Sequence, residues 1–335
     1  MARSAFFDNA KVILIFLVVF GHLIQPMTKS GGGAESLYLT IYTFHMPAFI
    51  LISGFFAKGS GNLQYILNLA KKLLIPYLIF QVIYSLFYFF AGSSSWNVSL
   101  FYPHWSLWFL FSLFSWHLLL CLFKRMPPII SLIVAIFLGV TIGYFEQVGH
   151  LFSLSRTFVF FPFFLAGYWL TKEQLMFTKR TSMKIFAFIA VAFISSSIYY
   201  APEFSSGWLL ASKSYGDLGV PYFGGLARLS VYAASAVMVF SIFSFIPQRQ
   251  LSFTSLGKRT LYVYLLHGFI IQLFRKFDLF SEGSLLQLTY GAIIAGLIVF
   301  LLSSNVVIKA TKPFVEANVQ RVRSLWRKED NERTA

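Results

Sequence analysis

Apolar runs of roughly bilayer-spanning length recur along the chain at about 10–27, 37–57, 73–91, 105–123, 128–145, 156–171, 183–200, 223–246, 260–276 and 284–308, separated by short polar connections. The pattern predicts an all-α fold, a polytopic transmembrane helix bundle of about ten membrane-spanning helices. Residues 1–308 read as a membrane domain and 309–335 as a basic tail. In the tail, Val315, Val319, Val322 and Leu325 fall at helical spacing, with Arg321, Arg323, Arg327 and Lys328 among them. That is the pattern of an interfacial amphipathic helix on anionic lipid; a disordered basic tail is the other reading. The first apolar run lacks an A-x-A-like cleavage site and ends in Gln25-Pro26, so it reads as a retained span and not a signal peptide. No internal repeat, low-complexity tract or second soluble domain interrupts the series.

The polar connections set an orientation. Those after the even-numbered runs hold Lys58, Lys71, Lys72, Lys124, Arg125, Lys172, Lys179, Arg180, Lys184, Arg249, Lys258 and Arg259. Those after the odd-numbered runs hold Lys29 and Lys213, with Arg275 and Lys276 at a helix edge. Basic loops stay in the cytoplasm, so both termini are expected there, in a bacterial-type cell membrane. Composition agrees: 57% of residues are hydrophobic and 12% charged, against about 25% charged in soluble domains. The net charge of +15 is then orientation and lipid contact, not nucleic-acid binding. A lone cysteine, Cys121, excludes an intramolecular disulfide and a thiolate cluster, and no metal site is expected.

Against this apolar background the ionisable residues carry the chemical signal, because each costs several kcal/mol in hydrocarbon. In "DNAKVILIFLVVFGHLIQ" Lys11 and His22 are eleven residues apart. At 100° per residue they share a helix face, roughly 16 Å apart along the axis. Asp8 sits one turn before Lys11. The second run brings His45 back to a similar depth. His267 is placed two turns inside the cytoplasmic end of the ninth run, beneath Lys258 and Arg259. Arg156 begins the sixth run near the outer surface and calls for an anionic partner, either Glu146 or a substrate; Arg228 raises the same question. Blander readings stand beside these. Lys11 can be a snorkelling anchor, His22 an interhelical hydrogen bonder, and His104 an interfacial residue. His117 and His150 read as structural.

These residues resemble the integral-membrane acyltransferase family 3. Lys11 and His22 match its first-helix spacing of a basic residue, ten residues, then His, and Asp8 matches the preceding acid. "FHMPAFILISGFF" matches its second segment, with His45, Pro47, Ser53 and Gly54 in place. "KKLLIPYLIF", "HWSLWFLFSLF", "FFPFFLAGYWL" and "SLGKRTLYVYLLHGFI" resemble its later helices in order, so the likeness spans about residues 3 to 270. In one departure, the first position of the family's Arg-x-x-Arg pair is Leu69 here, with Lys71 and Lys72 following. No esterase-like domain follows the membrane part, so the standalone membrane form is expected.

The resemblance implies a membrane-bound O-acyltransferase. It would move an acyl group, commonly acetyl, from cytoplasmic acyl-CoA to a hydroxyl of a surface glycan or lipid-linked saccharide. Acyl-CoA, acetyl-CoA above all, is then a co-substrate and no metal is needed. Lys11, Lys71, Lys72, Lys258 and Arg259 are candidates for the donor's phosphates. A hydroxyl is a poor nucleophile at neutral pH, and His22 can take its proton. His45 can orient it or act on the other side of the transfer. Asp8 completes the catalytic candidates, and Arg156, Glu146 and His104 are the acceptor-side candidates. A covalent acyl-histidine relay is an open alternative. So, in another class, is a proton-coupled transporter of a small solute or lipid-linked sugar. Acceptor identity and oligomeric state are not set by the sequence.

Overall fold

A computed structural model describes residues 4–59, 62–91, 102–104, 106–146, 153–200 and 204–316. The expectations that touch His150 and the tail beyond Glu316 lie outside these residues. Among the described residues there are helices and turns and no strand. The helices are α1 (Ala5–Ile24, continued by a 3-10 turn to Ser30), α2 (Gly32–Phe55), α3 (Leu63–Phe90), α4 (Trp108–Phe123), α5 (Pro128–Thr141) and α6 (Leu154–Trp169). They continue as α7 (Lys172–Phe177), α8 (Thr181–Tyr200), α9 (Gly207–Leu210), α10 (Gly224–Phe245), α11 (Thr260–Lys276), α12 (Leu285–Leu302) and α13 (Asn305–Val315). Six are long and apolar enough to cross a membrane: α1 with its extension, α2, α3, α8, α10 and α12. Helix α4 and the segment from Pro128 to Tyr144 are shorter apolar helices. Every expected run coincides with a helix, and α7, α9 and α13 are additional.

Two boundaries differ from the hydropathy reading. Helix α3 begins ten residues before the expected 73, because the Asn62 side chain accepts the Tyr65 N–H and caps a polar first turn. The last apolar run breaks at Ser304, whose hydroxyl accepts the Val307 N–H and starts α13. Residues 303–308 therefore belong partly to a separate helix that straddles the expected domain boundary. Arg259 stabilises that break, donating to the Ser303 carbonyl at 2.5 Å and to Asn305 Oδ1 at 2.8 Å.

Long-range hydrogen bonds define the two ends of the bundle. At one end Asn9 donates to the carbonyls of Pro247 and Arg249 and accepts from Thr254. Lys58 reaches the Leu170 carbonyl, and Lys179 caps the C-terminus of α10 at Phe243 and Ser244. This is the end where the Lys- and Arg-rich connections gather. At the opposite end Lys276 meets the Ala91 carbonyl, Ser30 the Ser281 carbonyl and Tyr215 the backbone of Gly143.

Helix α2 is the central element, buried along most of its length against α1, α6 and α10. Its crossing with α6 depends on two glycines. A Cβ at Gly54 would run into the Phe164 carbonyl, and one at Gly167 into the Leu51 carbonyl. Small residues that let backbones touch are a standard route to packing in lipid, where no hydrophobic force separates helix from solvent. Large apolar side chains of α5, α8 and α12, such as Phe137, Phe193 and Leu297, are exposed, as a lipid-facing rim requires.

Candidate active site

Helix α1 carries Lys11, Ile15, Val18 and His22 at i, i+4, i+7 and i+11, one continuous stripe. Ile15, Val18 and His22 form one wall of an apolar slot of about 170 Å³. The facing wall is a matching stripe on α11, Thr260, Tyr264 and His267. Trp108 and Phe109 of α4 and Met46 and Ser53 of α2 close the sides. The slot thus runs from Ser53 and Thr260, toward the basic end, to the two histidines.

His22 also borders two cavities that lead the other way. One, of about 210 Å³, is shared with Tyr42, His45, Arg156 and Arg275. The other, of about 430 Å³, extends to Thr28, Lys29, Phe274 and Asp278. Half-buried His22 lines all three spaces.

Neighbouring side chains fix the imidazole. The Tyr42 hydroxyl lies 3.1 Å from His22 Nδ1. Gly21 permits this approach, since a Cβ there would stand 2.9 Å from the Tyr42 ring. The His267 ring stacks on His22, centroids 5.5 Å apart and planes 20° from parallel. Arg275 donates to the His22 carbonyl at 3.2 Å and to Gln25 Oε1 at 2.5 Å, holding the end of α1 where the helix tightens. His45 packs edge-on against Tyr42, centroids 4.4 Å apart, so Tyr42 stands between the two histidines. His45 Nδ1 donates to the Ile41 carbonyl at 2.8 Å and His267 Nδ1 to the Val263 carbonyl at 3.0 Å. Each ring therefore carries its proton on Nδ1 and its lone pair on Nε2. A constellation with lone-pair nitrogens beside a hydroxyl-sized space can accept a proton from an alcohol.

Several expected residues lie elsewhere. Asp8 is buried and pairs with Lys11 at 3.3 Å. Fourteen residues of helix, roughly 21 Å of rise, separate it from His22, so it orients Lys11 and does not touch the imidazole. Lys11 also lies over the Phe56 ring, 5.5 Å from its centroid. Lys71, Lys72 and Lys258 are exposed at the basic end, whereas Arg259 is committed to the α12–α13 junction. His267 is not confined to the basic half: it meets His22 because α11 passes α1 at that depth. His104 is held away from the site, with Ser85 Oγ 2.8 Å from its Nε2 and its N–H donated to Gln81. Exposed Glu146 sits beside Gly216 and does not pair with Arg156. Arg156 Nε instead donates to the Leu210 carbonyl at 3.1 Å, with its guanidinium over Trp108. Buried Arg228 donates from Nη1 to the Trp208 carbonyl and lies over the Trp208 ring, while its Nε has no hydrogen-bond partner. His117 donates to the Leu113 carbonyl and packs against Tyr65 and Phe164. Among the described residues no group of three His, Cys, Asp or Glu is placed to hold a metal ion.

Tyr42 and Arg275 were not singled out by sequence reasoning as members of the site. The signal for the α11 wall was available: Thr260, Tyr264, His267, Ile271 and Arg275 repeat at three- and four-residue spacing, as the α1 stripe does.

Comparison with known proteins gives a consistent result. Residues 4–307 match the description "Acyltransferase domain" of the acyltransferase 3 family. The chain is 26% identical over 306 residues to nodulation protein NolL of Sinorhizobium fredii, covering 84% of this chain and 81% of that one. It is 41% identical over 83 residues to nodulation protein NolL of Mesorhizobium japonicum, a local stretch covering 23% of this chain and 22% of that one. No solved structure matches. With nearly all of its helical bundle inside the family match, the chain belongs to the acyltransferase 3 family and is a membrane O-acyltransferase.

Proposed function

We propose that the protein moves an acyl group, acetyl first, from cytoplasmic acyl-CoA to a hydroxyl of a surface glycan or lipid-linked saccharide on the other side of the cell membrane. The observation that carries this reading is the position of His22, where the slot from the basic end meets the two cavities from the opposite end. On the ten-span reading, with both termini in the cytoplasm, the basic end faces the compartment where coenzyme A is found.

Lys11, Lys71, Lys72 and Lys258 hold the anionic part of the donor at that end. The pantetheine arm enters the apolar slot, which opens on α1 at Ile15, and spans the roughly 16 Å of helix between Lys11 and His22. The thioester carbonyl then arrives beside His22 and His267. An acceptor hydroxyl entering from the opposite side gives its proton to His22 as its oxygen attacks that carbonyl. The tetrahedral adduct collapses with loss of the coenzyme A thiolate, which takes the proton back from His22, and the acyl ester stays on the acceptor's side. Tyr42 keeps the imidazole in register during the transfer. The apolar lining of the slot excludes water, which would otherwise compete as nucleophile. The family match leaves the transporter reading without an observation of its own.

Purified protein in lipid nanodiscs is expected to form an acylated glycan from radiolabelled acetyl-CoA and surface glycans, identified by mass spectrometry. Uptake of a solute into proteoliposomes with no acylated product would overturn the assignment. Lys11→Ala removes a charge-assisted contact to phosphate and leaves the slot intact. We expect an increase of about ten- to a hundredfold in the KM for acetyl-CoA, from a contact worth about 1.5–3 kcal/mol, with the helical circular dichroism unchanged. An unchanged KM at equal salt would make Lys11 a lipid anchor only.

A further inference from the structure

The 210 Å³ cavity has a charge imbalance that acyl transfer to a neutral sugar does not call for. Its lining holds two guanidinium groups, Arg156 and Arg275, and no Asp or Glu. The remaining polar members are His22, Gln25, Tyr42 and His45. On the ten-span reading both arginines lie in membrane helices, where a cation is costly unless it finds partners.

Arg156 is the more telling of the two. Its Nε donates to the Leu210 carbonyl at 3.1 Å and its guanidinium carbon stands 5.1 Å from the Trp108 ring centroid. These contacts use one N–H and one face. Among the described residues no acid pairs with it, and no hydrogen bond occupies its two terminal nitrogens. Arg228 provides the contrast within the same chain. It too lies over a tryptophan and donates to a carbonyl, but through terminal Nη1, and it is almost fully buried, 2% exposed. Arg228 is therefore a structural arginine, and Arg156 presents a planar pair of donors to open space.

We propose that this cavity is an anion subsite that takes a phosphate or carboxylate carried by the acyl acceptor, with Arg156 as its principal contact and Arg275 supplying the second positive charge. The inference rests on the reading of His22 as the point of transfer, and it narrows the acceptor to a saccharide bearing an acidic group near the acylated hydroxyl. The guanidinium plane matches the two oxygens of either anion. A bound anion neutralises the cavity in the resting complex, which a transient oxyanion at the reacting carbonyl would not. The adjoining 430 Å³ cavity leaves room for the rest of the saccharide.

The test is equilibrium binding to the whole protein in nanodiscs, followed by calorimetry with three probes: glucose 1-phosphate, glucuronate and methyl glucoside. At least one anionic probe is expected to bind about tenfold or more tightly than the neutral one, as a desolvated charge pair implies. Arg156→Gln should abolish that preference and Arg156→Lys should keep part of it. Whichever anion is preferred identifies the acidic group as phosphate or carboxylate. On the wild type, inorganic phosphate should displace the preferred probe, a measurement that needs no variant. Equal binding of all three probes, no binding, or a preference that survives in folded Arg156→Gln would overturn the proposal. So would equal loss of kcat with charged and neutral acceptors in Arg156→Gln at unchanged KM, which would make the arginine an oxyanion stabiliser. Acetyl-CoA binding, measured in parallel, reports on the transfer reading alone: its absence would sink that reading whatever the sugar probes do.

Discussion

His22→Gln is expected to lower acyl transfer by a factor of about 100 to 10,000, the usual cost of losing a general base. Glutamine keeps much of the side-chain volume and can still bond the Tyr42 hydroxyl, now 3.1 Å from Nδ1. It cannot accept a proton near neutral pH. Acetyl-CoA affinity should stay near wild type, because the basic end is untouched and glutamine fills most of the imidazole's place in the slot wall. His117→Ala is the control: that ring is spent on the Leu113 carbonyl and on packing, so most activity should remain. If His22→Gln keeps more than about a tenth of wild-type turnover, the base is His267 or His45. His267 stacks on His22 and presents its own Nε2 lone pair. His45 reaches the same cavity from the far side of Tyr42.

The second large effect is on folding. Gly54→Leu should prevent the protein from reaching its native bundle. The first atom of any side chain at Gly54 collides with the backbone of α6 at Phe164, and α6 answers with Gly167 against Leu51. Overpacking against movable side chains costs about 1–3 kcal/mol. Here the obstacle is main chain in two tightly crossed helices, so the cost should exceed that range. The expected readout is aggregation on size-exclusion chromatography in detergent, with loss of acetyl-CoA binding. Ile129→Leu, on the exposed rim of α5, should elute as wild type. A monodisperse Gly54→Leu protein would mean that the α2–α6 crossing is wrong.

The stripe from Lys11 to His22 was legible because it lies within one helix, where the 3.6-residue period fixes which side chains share a face. The fold class was legible for the same reason: apolar length alone marks a membrane helix. What the sequence did not disclose is which faces meet. His267 is 245 residues from His22 along the chain, and only the passage of α11 across α1 stacks the two rings. Arg275 read as an edge residue because its partners, the His22 carbonyl and Gln25, lie at the far end of another helix. Arg156 read as a charge in need of Glu146 or a substrate; Glu146 does not pair with it, and a carbonyl and an indole face hold its Nε and one side of its plane. Backbone groups at helix ends carry no sequence signature as partners. The displaced boundaries are a different case. Asn62 and Ser304 are both cap residues, and their identities foretold helix starts that hydropathy alone smooths over.

The central claim is that the acyl group crosses at His22 between two sides of a membrane, and sealed vesicles of known orientation test it most directly. Radiolabelled acetyl-CoA is supplied only to the compartment facing the basic end, with surface glycan acceptor only on the other. The account predicts label on the glycan with wild-type protein, unlabelled coenzyme A retained on the donor side, and no labelled glycan with His22→Gln. Labelled glycan only when donor and acceptor share one compartment, or undiminished labelling with His22→Gln, would contradict it.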